Sequence, residues 1–402
     1  MTISPQNKPK IFLIEFAANT WIGHRANTLA ALHGALKKRG HIVECGISVK
    51  AAPEMLETLN AKPVFSLMPW PALSTDRISG EIESFLAYGE RTPTEFESFL
   101  SEAQATDIVI LNTASENELW GFVCWMEQRA AHRRPKVVAN VMLPQFFDPI
   151  TEEPTQRGRL LRVAVKKLME LLPAEKLLFL ALTERLSNLF SSLTSAPFQV
   201  SVTPLDLASF LRSDEDAARS RPVRIGVAGA PKTTKGEHLV PEIAEMLLAR
   251  HPEVMFYAQN WPANKLIPNN VEVTPSGVGR QTYIDLLKSC DISLIMYDPI
   301  YYKHGGSGVF EEAASAGHGV VVTQDTWMTP FVDSGVVEGI SVPFGDTKAA
   351  TEALCRLIGQ VPELRKKSVV NGHSWAKTRD VEVYLDQVFD ALCPGQNLSR
   401  TS

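Results

Sequence analysis

The stretch 291–323 constrains the fold most, because it joins two short apolar runs through a glycine-rich loop and a short helix. The runs 292–296 and 320–323 are typical of buried strands, and the helix is predicted over 309–316. A strand, a loop, a helix and a second strand make up the crossover unit of an α/β sheet. The sequence therefore predicts an α/β fold for this part of the chain.

Similar units open both halves of the chain. In the first half, the apolar run 11–16 leads through a polar loop to an amphipathic helix over 27–39. In the second half, a strand is predicted at 223–228. It follows the acidic segment 204–222, which ends in proline and is interpreted as the interdomain linker. The sequence thus predicts two doubly wound α/β domains.

Helical periodicity marks further segments in both halves. The segment 51–103 is hard to assign beyond two helical patterns at 79–88 and 94–102. The other helices are predicted at 116–134, 158–172, 177–193, 237–250, 281–289 and 348–359, with two closing helices after Val361 and Asp380.

Composition narrows the class of protein. With 402 residues, 45% of them hydrophobic and 21% charged, the chain is long enough for two domains that each bury a core. The net charge of −5 argues against a nucleic-acid partner. The five cysteines lack paired or metal-ligand spacing, which favours reduced thiols in a cytoplasmic protein. Neither a secretion signal nor a membrane span is predicted.

The loop 229–236 offers two cations between a strand and a helix. Lys232 and Lys235 can reach a diphosphate as point charges, while Gly229 and Gly236 allow close approach of the backbone. A phosphate loop of the Walker type needs lysine after glycine, and here the order is reversed, so a nucleoside triphosphatase is disfavoured. The alternative is a solvated, lysine-rich loop.

The second glycine-rich loop leads directly into the helix of the opening stretch. It contains Gly305, Gly306, Ser307 and Gly308. Backbone N–H groups from Ser307 to Val309 and the positive end of the helix dipole can bind an anion. Both loops follow the carboxyl ends of strands, so they are predicted to converge on one diphosphate.

Two adjacent glutamates follow in the same helix. Glu312 lies one helical turn beyond Gly308 and is predicted to accept hydrogen bonds from ribose hydroxyls, as a carboxylate does in dinucleotide folds. Glu311 points to another side and is predicted to be solvated.

The first half carries weaker candidates. His24 lies in the loop after the first strand, and it is either a functional histidine or a helix-flanking one. In the loop 112–117, Ser115 or Asn117 can contact a substrate, although helix capping is favoured. The helix 158–172 has a basic stripe, which suits either an anionic membrane surface or a packed helix with a solvated face. That stripe consists of Arg159, Arg162 and Lys166.

These residues resemble the GT-B glycosyltransferases, specifically the retaining family 4 group. The resemblance rests on Gly229 with Lys235-Gly236 and on the run 312–321, over about 223–350. His304 stands where the family has the first glutamate of a Glu-x7-Glu pattern. Ala230 stands where an arginine is common, with Lys232 the nearest cation.

The resemblance implies two Rossmann-like domains facing each other across a cleft. Residues 1–204 would bind the acceptor and 205–374 a nucleotide sugar, with the C-terminal helix 375–402 packing back on the first domain. The donor would be a UDP-, GDP- or ADP-sugar, and the acceptor a glycan, a lipid-linked sugar or a small molecule. Neither a metal nor another cofactor is implied.

The resemblance also assigns roles. Lys232 and Lys235 would offset charge on the leaving diphosphate, and His304 with Gly305 would orient the sugar. Two alternatives remain: another enzyme on the same scaffold, either a sugar-nucleotide epimerase or a phosphorylase, and a non-catalytic sugar-nucleotide-binding partner of a polysaccharide assembly.

Overall fold

A computed structural model describes residues 8–21, 23–67, 77–218, 220–229, 232–259, 261–262, 265–275 and 278–395, with residues 77–79 described by backbone alone. The chain divides into two compact units. The first is Met1–Leu205 with Val381–Ser402, and the second is Asp206–Asp380. Each unit is a parallel-sheet α/β domain.

In the described part of the first unit, seven parallel strands form one sheet in the order β3-β2-β1-β4-β5-β6-β7. The strands are β1 Ile11–Glu15, β2 Val43–Ser48, β3 Ala61–Phe65, β4 Ile108–Leu111, β5 Lys136–Asn140, β6 Leu177–Ala181 and β7 Phe198–Val200. The helices between them are α1 His24–Lys38, α2 Pro53–Leu59, α3 Arg77–Leu100, α4 Glu116–Gln128, α5 Gln156–Leu171 and α6 Glu184–Thr194.

The first sheet is buried on both faces, as a parallel sheet requires. Along β1, Phe12 and Ile14 belong to one core cluster, which also contains Phe122 of α4. Ile11 and Leu13 belong to the other cluster, on the opposite face. Because side chains alternate along a strand, this short apolar run serves both cores.

In the described part of the second unit, six parallel strands have the order β10-β9-β8-β11-β12-β13. The strands are β8 Arg224–Val227, β9 Met255–Gln259, β10 Val271–Thr274, β11 Ile292–Ile295, β12 Gly319–Thr323 and β13 Gly339–Val342. The helices are α7 Asp214–Ala218, α8 Val240–Leu248, α9 Arg280–Ser289, α10 Pro299–Tyr302, α11 Gly308–Ser315, α12 Thr329–Asp333 and α13 Thr347–Arg379. The last helix, α14 Val381–Leu392, belongs to the first unit.

The crossings between the units differ from the predicted linker. Leu207 and Phe210 are buried, and Phe210 packs with Ile284 and Leu287 of α9. The segment 206–222 therefore belongs to the second unit, and the chain crosses directly from Leu205 to Asp206. Proline and acidic residues suggested a linker, but the apolar pair within the segment is core.

The C-terminal return begins at Val381, whereas the sequence predicted a return from Trp375. Trp375 lies in α13 and packs edge-on against Phe310 in the second unit, with ring centroids 5.7 Å apart. Helix α14 packs in the first unit, where the Tyr384 hydroxyl donates to Asn140 Oδ1 at 2.9 Å.

Two helix predictions were wrong. The segment 177–193 is a strand followed by a helix, β6 and α6, because the apolar run 177–181 pairs with β5 and β7. Helix α13 continues through Pro362, where a break was expected. Leu357, Val361 and Leu364 keep one buried face on both sides of that proline, so packing outweighs its lost hydrogen bond.

Candidate functional site

The loop after β8 is shaped by two glycines in left-handed conformations. Gly229 has φ of 99° and Gly236 has φ of 69°. A Cβ on Gly236 would lie 2.1 Å from the Met296 carbonyl oxygen, so a larger residue would push this loop away from the end of β11. Between the glycines, Lys235 N donates to Lys232 O at 2.8 Å and closes a turn. The turn holds the Lys235 side chain at the carboxyl edge of the sheet.

The two glycine-rich loops meet at Gly229. A Cβ built there would lie 3.1 Å from Val309 Cγ2 and 3.2 Å from Lys235 Nζ. The loop after β11 also touches the first loop, since Asp298 N donates to Thr234 O at 2.9 Å. The structure therefore brings Lys235 to the first turn of α11.

A cavity of about 140 Å³ opens beside this junction. Gly229, Lys235 and Tyr297 line it together with Gln259 and Trp261. Gln259 Oε1 accepts a hydrogen bond from Gly229 N at 2.6 Å, and Lys235 Nζ lies 5.3 Å from the centre of the Tyr297 ring. The cavity therefore combines a cation, glycine backbone and aromatic walls with one carboxylate, Glu237.

The two lysines have no counterion among the described residues. Lys232 is exposed and Lys235 is half-buried, and neither forms an ion pair in the part of the chain that the structure describes. Glu237 lines the same cavity as Lys235 but forms no ion pair with it, so the half-buried ammonium group remains able to pair with an anion.

The N-terminus of α11 adds partial positive charge to the same place. Ser307 caps the helix, and its hydroxyl accepts from Phe310 N at 3.2 Å. The N–H groups of Gly308 and Val309 lie in the first turn, where no intrahelical acceptor exists. Half-buried Gly305 and Gly306 precede the cap. An oxyanion can accept hydrogen bonds from these N–H groups.

His304 lies in the loop between α10 and α11, three positions before the Ser307 cap. Its side chain is buried, with 4% of its surface exposed. Sequence analysis could place it in this loop but not inside the protein.

Glu312 is buried on α11, with 5% of its surface exposed. Its Oε2 accepts a hydrogen bond from the Tyr283 hydroxyl at 2.6 Å. Burial raises the pKa of Glu312 to about 7, while the Tyr283 hydrogen bond acts in the opposite direction. Sequence analysis missed Tyr283, because its partner lies on another helix.

The prediction that Glu311 is solvated was wrong. Glu311 is 1% exposed and forms a bidentate ion pair with Arg379, with Nε–Oε2 and Nη2–Oε1 distances of 2.8 Å. The Arg379 guanidinium also lies within 5.2 Å of three aromatic ring centres. These rings belong to Trp327, Phe331 and Trp375. Glu311 therefore anchors α11 to the end of α13.

The first unit has its own polar cluster, which sequence analysis missed. Glu15, the last residue of β1, is 1% exposed. It accepts from Arg25 Nη1 at 2.8 Å and from Asn112 Nδ2 at 2.9 Å. A charged residue at the end of an apolar run was the available signal. His24 is exposed at the start of α1, beside this cluster in sequence.

Helix α4 begins with the cap that was favoured from the sequence. Ser115 and Glu118 form a reciprocal capping box, in which each side chain accepts from the other's backbone N–H. In the first turn, buried Glu116 pairs with Arg157 at 2.6 and 2.9 Å.

The basic stripe predicted for the helix 158–172 lies on the solvent side of α5. Arg159, Arg162 and Lys166 are exposed, and none of them forms an ion pair with a described residue. Val163 and Met169 are also exposed, by 46% and 38%. Within the described ranges, no helix combines the length and apolar character needed to cross a bilayer.

Comparison with known proteins identifies the fold. No family model matches this sequence, and no curated protein matches it. Among solved structures, HepE of Anabaena in complex with UDP has 13% identity and a TM-score of 0.62, over 95% of this chain and 99% of that chain. A putative UDP-N-acetylglucosamine 2-epimerase from Listeria monocytogenes has 13% identity and a TM-score of 0.58, over 95% and 96%.

WaaG, a glycosyltransferase involved in lipopolysaccharide biosynthesis, has 16% identity and a TM-score of 0.59, over 96% of this chain and 100% of that chain. At these identities the similarity is one of fold. The chain has the GT-B fold of two Rossmann-like domains, which confirms the fold predicted from the sequence.

Proposed function

We propose that this protein is a glycosyltransferase whose donor, a nucleoside diphosphate sugar, binds at the carboxyl edge of the second sheet. The observation that carries the proposal is the position of Lys235, without a counterion among described residues, between Gly229 and the N-terminus of α11. Cationic and N–H groups arranged in this way stabilise the charge that develops on a departing diphosphate.

Each residue of the site receives a role in this proposal. Lys235 and Lys232 contact the diphosphate, the Ser307–Val309 backbone binds its oxygens, and Glu312 accepts hydrogen bonds from the ribose. His304 and Gly305 orient the sugar. Two lysines and a helix terminus supply the charge that a divalent cation provides elsewhere, so the proposed reaction uses neither a metal nor another cofactor.

The donor proposed first is a UDP-sugar. HepE has been solved with UDP and with UDP-glucose, and this supports uridine as the first base to test, ahead of GDP- and ADP-sugars. The acceptor, a glycan, a lipid-linked sugar or a small molecule, would bind to the first unit, where His24 lies at the start of α1. Retention of anomeric configuration follows from the family 4 resemblance and belongs to the proposal.

An epimerase is the second candidate, supported by the fold similarity to the Listeria protein. The third is a non-catalytic partner that binds a sugar nucleotide, since His304 replaces the family's glutamate. These candidates predict different products from the same substrates.

The test incubates the protein with UDP-, GDP- and ADP-sugars and follows both the nucleoside diphosphate and the sugar. Slow release of a nucleoside diphosphate together with free sugar supports the transferase, provided that this release is lost in Lys235→Met. An epimerised sugar would identify an epimerase, and binding without turnover would leave the partner role. If no donor binds, the proposed site is wrong.

We also propose that the protein works at the inner face of a cytoplasmic membrane, which α5 contacts. Each lysine or arginine near an anionic lipid surface contributes about 1 kcal/mol. Exposed Val163 adds apolar contact on the same stripe as Arg159, Arg162 and Lys166.

Sedimentation with anionic and with neutral vesicles tests this contact. Replacing Arg159, Arg162 and Lys166 by Gln should abolish binding to anionic vesicles. The charge-matched control replaces exposed Lys37, Lys38 and Lys50 by Gln and should keep that binding. Equal loss of vesicle binding in both variants would mean that binding depends on net charge alone. It would then be wrong to assign the contact to α5.

A further inference from the structure

The two oxygens of the Glu312 carboxylate have different surroundings. Oε2 accepts from the Tyr283 hydroxyl at 2.6 Å. Oε1 accepts no hydrogen bond from a described residue. One oxygen is thus held by the protein, and the other remains available to a ligand.

Tyr283 is itself held firmly. Its ring packs edge-on against Phe210, with centroids 6.2 Å apart and planes at 82°. It also contacts the small core formed by Phe210, Ile284 and Leu287. Burial raises the pKa of Tyr283 well above its ordinary value, so the hydroxyl keeps its proton and remains a donor at every working pH.

The charge state of Glu312 depends on this hydrogen bond. Burial raises the Glu312 pKa to about 7, and the bond from Tyr283 is the largest effect that lowers it. Arg280 of α9 and Lys235 lower it further by their charge, and neighbouring Glu311 raises it. Without the hydrogen bond from Tyr283, less would oppose the effect of burial on the Glu312 pKa. The pKa would then be higher, and Glu312 would take up a proton at higher pH.

We propose that Tyr283 is a positioning residue for the donor site, where its hydrogen bond favours the ionised form of Glu312 and leaves one carboxylate oxygen for the ribose hydroxyls. The inference rests on the proposed function, because it needs a nucleoside diphosphate sugar at this site. It assigns a role to a tyrosine that lies 29 positions from its partner.

The test measures the affinity for UDP-glucose by calorimetry between about pH 6 and about pH 9, on either side of the Glu312 pKa. UDP-glucose is preferred to UDP, because a terminal phosphate has its own ionisation at about pH 6. For the wild-type protein, ionised Glu312 is the better acceptor. Affinity should therefore be full at high pH and fall as the pH drops through the Glu312 pKa.

In Tyr283→Phe the fall in affinity should occur about one to two pH units higher than in the wild type. This is the shift expected when one hydrogen bond to a charged group is lost. Affinity at the highest pH should approach the wild-type value. Glu312→Gln should bind more weakly and should lose the fall in affinity that the wild type shows at the Glu312 pKa. Tyr301→Phe, at an exposed tyrosine of the same unit, should match the wild type.

Pyrophosphate has no ribose and serves as the ligand control, so its affinity should not fall in Tyr283→Phe or Glu312→Gln. A Tyr283→Phe profile that overlays the wild-type profile would overturn the inference, even if the variant melts at a lower temperature. If Tyr283→Phe does not fold, a Glu312→Gln variant that keeps the wild-type pH profile would overturn it instead. Failure of the wild-type protein to bind UDP-glucose would overturn the proposed function itself.

Discussion

The charged side chains at the carboxyl edges of the two sheets differ in whether they are paired. In the first unit, Glu15 is paired with Arg25, and Glu116 with Arg157. In the second unit, Lys235 points to a cavity and has no counterion among the described residues. The first six strands of the first sheet and the six strands of the second have the same order, so the difference lies in the loops and side chains at the edge.

This contrast indicates which edge holds an anionic ligand. A buried ion pair satisfies its own charges, and a ligand that entered would have to break it. A cation beside glycines and a helix N-terminus gains a partner when an anion binds. The same contrast recurs within α11, where Glu311 is paired with Arg379 and Glu312 keeps an available oxygen.

The largest expected effect comes from breaking a pair in the first unit. Arg157→Met leaves buried Glu116 without its countercharge. We expect a loss of about 3–5 kcal/mol in the free energy of unfolding, measured by denaturant titration. Lys166→Met, at an exposed position on the same helix, should change it little. A small effect of Arg157→Met would mean that Glu116 is satisfied in another way, and the contrast between the edges would weaken.

A smaller effect is expected from crowding the junction in the second unit. Alanine at Gly229 or at Gly335 must adopt positive φ, which costs about 1–2 kcal/mol at either site. Only the Gly229 methyl would meet Lys235 and Val309, since nothing lies within 4 Å of a Cβ at Gly335. Both variants should lose similar stability in thermal melts, but only Gly229→Ala should lose affinity for UDP in calorimetry. Equal affinities for UDP in the two variants would mean that Gly229 is not part of the binding site.

Local sequence patterns predicted the main strands of the fold and the loops of the candidate site. The apolar runs at β1, β8 and β11 mark buried parallel strands, and glycines mark the loops that follow them. These loops lie at one edge because parallel strands end there, so their convergence could be expected before Gly229, Lys235 and Val309 were located.

Features that depend on distant partners could not be read in this way. Glu311 pairs with Arg379, which lies 68 positions away in the sequence. The local helical pattern around a glutamate is the same whether solvent or an arginine faces its side chain. Strand β6 was hidden because only Leu182 and Thr183 separate it from α6, and Thr183 was not recognised as the cap of that helix. Pro362 was expected to end a helix that packing on both sides maintains.

The central claim is that Lys235, and not a paired cation, binds the diphosphate. It is tested most directly by calorimetry of UDP binding to the wild-type protein, Lys235→Met and Arg157→Met, at a temperature where all three are folded. Lys235→Met should weaken binding by about 1.5–3 kcal/mol, which is roughly 10- to 150-fold in Kd, and leave the thermal melt nearly unchanged. Arg157→Met should bind UDP as the wild type does. Unchanged affinity in Lys235→Met, or an equal loss in both variants, would contradict the account.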